Sequence, residues 1–236
     1  MVRVLPLLSV IVPAYNEEER IEKTLREYTE GLKATGRDFE IIVVCDGSKD
    51  RTAEIAGKYA KVLSFPNRLG KGGGVIEGFK AAGGDVLSFT DADNSLKVDQ
   101  FIKLLEEMDA TGAGCVIADR KSKESVIVES QYLIRRFASE AFNFLLSRAI
   151  FGLKVRDSQC GGKVFKRSCV EPVIPQMACK GFEFDVELLW RVRKNGCRIA
   201  EVPVIWKDDK GSKFSFKYIP SMFINLMKVR LGIYKK

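Results

Sequence analysis

Between residues 7 and 120 the chain alternates short, unbroken apolar runs with longer stretches whose apolar residues recur every three or four positions. The runs are LLSVIVPA (7–14), FEIIVVCD (39–46), KVLSF (61–65), DVLSFTD (85–91) and AGCVIADR (113–120). An apolar run without polar alternation suits a strand covered on both faces, the usual state of a strand in a parallel sheet. The stretches between them read as helices. In 16–36, Ile21, Leu25, Tyr28 and Leu32 share one helical face, acids crowd the first turn, and Gly36 marks the stop. Residues 48–60 read as a helix with Ser48 as its N-cap, 70–83 as a glycine loop entering a helix, and 98–112 as a helix. Strand and helix in strict alternation imply an α/β protein with a doubly wound, mainly parallel, Rossmann-like sheet. Ligands of such sheets bind beyond the carboxyl ends of the strands, where Asp46, Asp91 and Arg120 stand.

The second half has a different texture. Residues 130–155 form a long helical pattern of aromatic and aliphatic bulk, interrupted by Arg135, Arg136, Arg148 and Lys154. Residues 157–168 read as a turn and strand, 182–196 as a helix stopped by Asn195-Gly196, and 198–206 as an alternating strand. The tail, 217–236, reads as a basic amphipathic helix. With no repeat and no low-complexity linker, the expectation is one domain over 1–214 and a C-terminal amphipathic extension over 215–236. No apolar run reaches the roughly 18–20 residues of a membrane span. The segment VLPLLSVIVPA is apolar enough for a leader. It contains Pro6 and Pro13 and runs straight into YNEEER, so it reads as a buried strand. The six cysteines, at 45, 115, 160, 169, 179 and 197, show no C-x-x-C spacing. They read as reduced, mostly buried thiols of a cytosolic protein, neither a zinc site nor a disulfide frame.

The chain has no histidine. Serine–histidine triads, histidine metal ligands and histidine bases are therefore excluded, and carboxylates, an oxygen-ligated metal, or lysine and arginine must carry any chemistry. The net charge of +8 is unevenly spread: residues 1–118 carry −4 and residues 119–236 carry +12. The second half favours anionic partners, phosphates or an acidic membrane surface among them. The stacking platforms and recognition motifs of nucleic-acid binders are not evident, so no nucleic-acid partner is expected.

The strand at 85–91 ends in DADNS. Two carboxylates one residue apart, Asp91 and Asp93, can share one hard cation. Mg²⁺ or Mn²⁺, which take oxygen ligands and are commonly shared with substrate phosphates, would offset both the carboxylate repulsion and the charge of a diphosphate. The same letters match the D-x-D-x-[TS] pattern of aspartyl-phosphate phosphatases, with Asp91 as nucleophile. That motif follows the first strand of its fold, and here it follows the fourth. Asp46 can accept the N–H of a nucleobase edge or serve as a loop acid. Pro13, Tyr15, Asn16 and Glu17, at the end of the first strand, can border the same base and ribose. NRLGKGGG (67–74) resembles a phosphate-cradling loop, although Lys71 is followed by Gly72 and the loop is not a Walker A motif. The alternative is a glycine turn with Lys71 exposed.

LSVIVPAYNEE, VVCDGSKDRT, NRLGKGGGVIEGF, SFTDADNS, DSQCGGKVFKRS and GFEFDVELLWRVRKNGCRIAEVPVIW follow one another as in family-2 glycosyltransferases of the GT-A fold, over roughly residues 7–214. The resemblance is closest to enzymes that make polyprenyl-phosphate sugars, the dolichyl-phosphate glucose and mannose synthases. DSQCGGKVF and FDVELL look more like the glucosyl branch. The resemblance implies a metal-dependent inverting transferase. It would move a sugar from a nucleotide-sugar donor, UDP-glucose or UDP-HexNAc in preference to GDP-mannose, to a polyprenyl (dolichyl) phosphate. Pro13, Tyr15, Glu17, Asp46 and Lys71 would contact the donor, and Asp91 and Asp93 would hold Mg²⁺ or Mn²⁺ on its diphosphate. Arg120 would lie near the acceptor phosphate, and Arg135 and Arg136 on a basic access segment. WKDDKGSKFS is similar to a loop written R-x-x-G-x-S-K in mannose synthases, with Lys207 at the arginine position, Lys210 at the glycine position, and Ser212 and Lys213 matching.

A phosphate monoester, with a second pKa of about 6, is already ionised at neutral pH and needs no strong base. It needs cations, each charge-assisted bond contributing roughly 1.5–3 kcal/mol. Asp185 would be the base for a hydroxyl acceptor. For a phosphate acceptor it would orient substrate or a basic residue, and as a plain structural group it is a helix N-terminal acid. Transfer to a saccharide or protein hydroxyl is the first alternative; an aspartyl phosphatase and a non-catalytic anion-binding protein come after it. Residues 130–151 and 219–234 pair Phe, Leu, Ile and Met with Arg and Lys, as interfacial helices do and as helices packed on the sheet also can. Relatives of this kind often carry membrane-spanning helices after the C-terminal loop. None follows it here, so the expected location is peripheral, at the cytoplasmic face of a membrane.

Overall fold

A computed structural model of the protein describes residues 5–129, 143–207 and 216–234. Its strands are β1 (Leu8–Ala14), β2 (Phe39–Asp46), β3 (Lys61–Phe65), β4 (Val86–Phe89), β5 (Cys115–Asp119), β6 (Val126–Glu129), β7 (Lys163–Lys166), β8 (Ile199–Pro203) and β9 (Ile205–Lys207). Seven of them form one sheet in the order β3-β2-β1-β4-β7-β5-β8. Its pairings are parallel except at β7, which runs antiparallel to both β4 and β5. The mainly parallel α/β sheet read from the sequence is present, with one reversed strand inside it. The reversal follows from connectivity. The turn at 157–162 delivers the chain to the carboxyl ends of β4 and β5, so β7 can only run back between them. A separate parallel ribbon, β6 with β9, lies beyond the sheet.

The helices are α1 (Ile21–Ala34), α2 (Thr52–Ala56), α3 (Lys71–Ala81), α4 (Val98–Thr111), α5 (Arg167–Val170), α6 (Phe184–Lys194) and α7 (Ile219–Arg230), with a π-helical segment at Asn143–Ile150. Alternate strand residues feed two separate cores. Ile11, Ile42, Val44, Leu87 and Phe89 pack with Val75 and Phe79 of α3 and Phe184 of α6. Val10, Val12, Ile41, Val43 and Val86 pack with Leu25 and Tyr28 of α1 and Phe101 and Leu104 of α4. Both faces of β1, β2, β4 and β5 are largely dry, which is why their sequences show no polar alternation. A side chain at Gly78 would collide with Ile11, so α3 lies tight against β1 and its N-terminus is held close to the end of that strand.

Three local expectations are corrected. Ser48 does not cap α2, which begins only at Thr52. Asp50 Oδ1 accepts the Thr52 N–H at 3.0 Å, while Ser48 Oγ accepts the Asn16 N–H at 3.1 Å and ties the β2 loop to the β1 loop. Gly72, Gly73 and Gly74 are not a loop; they are the first turn of α3. Cys169 and Cys197 are not reduced thiols but a disulfide. Cys169 lies on α5 and Cys197 just after α6, and they meet over Gly114, whose lack of a side chain leaves room for the sulfurs. The remaining cysteines, Cys45, Cys115, Cys160 and Cys179, are free and buried as expected.

In the tail, Met222, Leu226 and Val229 of α7 are buried. Asn225 Nδ2 donates to Glu183 Oε1 at 2.9 Å and Arg230 Nε to the Ile150 carbonyl at 3.1 Å, which fixes the helix against α6 and the π-helical segment. Phe223, Ile224, Leu231 and Ile233 face outward. Among the described residues no helix is long and apolar enough to cross a membrane.

Candidate functional site

The β1 strand lies between β2 and β4, the point at which strand order reverses direction, and doubly wound sheets bind ligands there. At the carboxyl ends of these strands is a cleft of about 670 Å³. It is lined by Pro13, Ala14, Tyr15, Glu17, Arg20, Asp46, Arg68, Lys71, Asp91, Ala92, Asp93 and Phe182. Seven residues singled out in the sequence for donor or metal contact therefore share one wall: Pro13, Tyr15, Glu17, Asp46, Lys71, Asp91 and Asp93. Arg20, Arg68 and Phe182 join them unforeseen.

Asp91 Oδ1 lies 2.5 Å from Lys71 Nζ. Its other oxygen packs against the backbone at Gly161, where any side chain would collide with it. Asp93 Oδ1 accepts the Ser95 N–H at 3.0 Å. Burial, and then the neighbouring Asp91 charge, push the Asp93 carboxyl above the usual carboxylate range. Between and beyond them the loop is fixed by Asn94, which adopts a left-handed conformation (φ 58°) and donates to Glu27 at 2.8 Å. Among the described residues no cluster of three or more metal-ligating side chains forms a closed cage. Two mutually repelling carboxylates at an open cleft suit a hard cation that completes its shell with phosphate oxygens and water.

Behind this pair lies a second, buried one. Lys163 Nζ is 2.6 Å from Asp185 Oδ1, with side-chain exposures of 0% and 4%. The lysine also donates to the Cys160 carbonyl and sits 5.1 Å from the Phe89 ring centroid. Burial raises the pKa of Asp185, against the opposing pull of Lys163 and Lys71. Burial disfavours the Lys71 ammonium, but Asp91, Asp185 and Asp93 outweigh it and lift its pKa above the usual lysine value. Lys163 was not singled out in the sequence. Its strand, KVFK, carries a lysine at each end, and nothing in the sequence marks Lys163 as the buried one or pairs it with Asp185.

On the nucleoside side, Asp46 lines the cleft and also fastens the loop that leads into α3. Its carboxylate accepts the Leu69 N–H, the Gly70 N–H at 3.0 Å and Arg68 Nε at 3.1 Å. Arg68, so held, lies with its guanidinium carbon 3.5 Å from the Tyr15 ring centroid. Glu17 accepts Arg20 Nε at 2.8 Å and gives its own N–H to Thr52 Oγ1 at 2.8 Å. The phosphate-cradling reading of NRLGKGGG is corrected. The Gly72 N–H donates to the Gly181 carbonyl, that of Gly73 to Lys180 and that of Gly74 to Gly70, so these amides are already engaged. What the segment presents to the cleft is the side chains of Arg68 and Lys71.

Arg120 and Asp185 are not among the residues lining this cleft. Arg120 makes a two-pronged contact with Asp157, Nε to Oδ2 at 2.6 Å and Nη2 to Oδ1 at 3.0 Å, and lies 4.9 Å from the Trp206 ring. Burial pushes Asp157 upward, but Arg120 outweighs it and holds the carboxyl below its usual range. Leu96 bridges to Trp206 and the Lys207 N–H donates to the Ser95 carbonyl at 3.1 Å, so β9 is seated directly on the loop that carries Asp93. Arg135, Arg136, Lys210, Ser212 and Lys213 lie outside the described residues.

Residues 9–173 match the pattern of glycosyl transferase family 2. A dolichyl-phosphate beta-glucosyltransferase of Trichomonas vaginalis is 33% identical over 97% of this chain and 75% of its own length. Its namesake in Saccharomyces cerevisiae is 32% identical over 97% and 76%, and that of Homo sapiens 33% over 87% and 69%. Among solved structures, glucosyl-3-phosphoglycerate synthase of Mycobacterium tuberculosis, in complex with Mn²⁺, UDP and glucosyl-3-phosphoglycerate, aligns with a TM-score of 0.69 at 22% identity, covering 98% of this chain and 82% of that one. That likeness concerns the fold, a GT-A-like α/β architecture. With a family match that spans β1 to α5, and relatives at this identity over most of its length, the chain belongs to glycosyl transferase family 2.

Proposed function

We propose that the protein transfers glucose from UDP-glucose to a dolichyl or other polyprenyl phosphate, with inversion at the anomeric carbon, in the cleft at the ends of β1, β2 and β4. The relatives named for this activity support the reaction class. The observation that carries the choice of acceptor is the Lys163–Asp185 pair. A hydroxyl acceptor needs a base, and the family's candidate, Asp185, is buried and bound to a lysine at 2.6 Å. A phosphate acceptor is already ionised and needs none.

Asp91 and Asp93 would hold Mg²⁺ or Mn²⁺. When bound, the cation neutralises charge on the leaving diphosphate. Lys71, on the same wall, adds a second positive charge for that diphosphate. Tyr15, Pro13 and Glu17 border the nucleoside, and Asp46 acts through Arg68, which it holds over the Tyr15 ring. Arg120, oriented by Asp157, is assigned to the acceptor phosphate, with Arg135, Arg136, Lys207, Ser212 and Lys213 contributing from the basic second half. Association with the anionic cytoplasmic face of a membrane is supported by that charge and by the outward apolar residues of α7.

The test supplies purified protein with UDP-glucose, UDP-HexNAc or GDP-mannose, a short polyprenyl phosphate, and Mn²⁺ or Mg²⁺. UDP is expected from UDP-glucose only when polyprenyl phosphate is present; no turnover with any donor overturns the proposal. Asp185→Asn separates the acceptor classes. Loss of a general base costs roughly a hundredfold or more, so turnover retained within about tenfold of wild type supports the phosphate acceptor, and a loss of a hundredfold or more supports a hydroxyl acceptor.

A further inference from the structure

Lys71 and the cation assigned to Asp91 compete for the same carboxylate. The lysine Nζ is 2.5 Å from Asp91 Oδ1. The other oxygen of Asp91 is packed against the Gly161 backbone. One oxygen is thus taken by a charged group and the other lies close to main chain, while the side chain as a whole stays 24% exposed at the cleft. Mg²⁺ bonds carboxylate oxygen at about 2.0–2.1 Å, and either it or Mn²⁺ would meet a like charge in direct contact with its ligand. Lys71 is anchored as the first residue of α3, whose opening turn is fastened to the carbonyls of Lys180 and Gly181. Only its side chain can yield, and the cleft it lines is where a diphosphate would be received.

We infer that Lys71 is a built-in stand-in for the divalent cation: it occupies Asp91 while the site is without donor and releases it when a nucleotide diphosphate offers the ammonium a second anionic partner. The cation and the nucleotide then enter as one linked event, and the cation alone binds poorly. The inference rests on the Asp91–Asp93 metal site of the proposed function. It adds an order of binding that the reaction class does not require. Lys71 is a positioning residue in this role, distinct from its contact with the diphosphate.

The experiment measures Mn²⁺ binding directly, from the electron paramagnetic resonance signal of free Mn²⁺, with and without UDP and with no acceptor or turnover. Wild-type protein is expected to bind Mn²⁺ weakly alone and more tightly with UDP. Lys71→Met is expected to bind Mn²⁺ alone more tightly than wild type, by roughly fivefold or more, and to lose most of the enhancement by UDP. Lys71→Arg, which keeps the charge, should stay near wild type, and Lys71→Gln, which removes the charge as methionine does, carries the test if the methionine variant does not fold by circular dichroism. Wild-type-like or weaker Mn²⁺ binding by Lys71→Met overturns the inference alone, as does tightening by Lys71→Arg. No Mn²⁺ binding by any form, even with UDP, overturns the metal site and the inference together.

Discussion

At the scale of single residues, the site keeps charges that the fold would be more stable without. Asp93 is the clearest case. Its carboxyl is pushed up by burial and by Asp91. An acid whose pKa is higher in the fold than in the unfolded chain loses stability as pH rises from the unfolded value through the folded one. Asp93→Asn removes that loss while keeping an oxygen to accept the Ser95 N–H. Its expected outcome is a higher melting temperature for the metal-free protein at pH 7, by roughly 2–4 °C for each kcal/mol of relieved repulsion. The gain should vanish at pH values below the ordinary aspartate range, where both states are protonated. Metal-dependent turnover should fall in the same variant. Scanning calorimetry across pH checks the first part, and a variant no more stable than wild type at pH 7 contradicts it. Asp91, Asp93, Tyr15 and Glu17 were legible in the sequence because a motif at a strand end names both the residue and its address. Lys163, Arg68 and Asp157 were not, because each owes its role to a partner at least 20 residues away in the chain.

At the scale of elements, periodicity carried β1 to β5 and α1 to α4, since β1, β2, β4 and β5 are buried almost throughout and the helices turn apolar residues to the sheet. It could not show that β7 runs backwards, since a strand's side-chain pattern is the same in either direction. Nor could it show the Cys169–Cys197 disulfide, whose 28-residue separation has no local signature. That bond staples α5, which follows β7, to the turn that feeds β8, and so clamps the two strands flanking β5. A loop of this length contributes about 3.5 kcal/mol by restricting the unfolded chain. Cys197→Ser is therefore expected to lower stability by about that amount under oxidising conditions. In a thiol reductant, denaturant melts of variant and wild type should coincide. Equal stability of the two oxidised proteins would show that the bond adds nothing.

At the scale of the whole molecule, the basic second half and the tail decide how the protein meets its lipid substrate. The sequence offered two readings of the tail, a membrane face or a packed helix, because both of its stripes are apolar. Three-dimensional packing divides them: Met222, Leu226 and Val229 turn inward, while Phe223 and Ile224, 40% and 52% exposed, turn outward beside Lys228 and Arg230. Inserting one such apolar side chain contributes about 1.5–3 kcal/mol and each basic residue about 1 kcal/mol near an anionic leaflet. Wild-type protein should sediment with phosphatidylserine-containing vesicles and be released by salt, since the Debye length shortens to about 3 Å at 1 M. The double variant Phe223→Glu/Ile224→Glu should lose vesicle binding by roughly tenfold or more, with its melting temperature unchanged because neither side chain is part of the core. Leu226→Glu, on the buried stripe, should instead destabilise the fold. If the double variant binds vesicles as wild type does, α7 is only a buttress for α6, and the membrane contact must be sought elsewhere on the basic half.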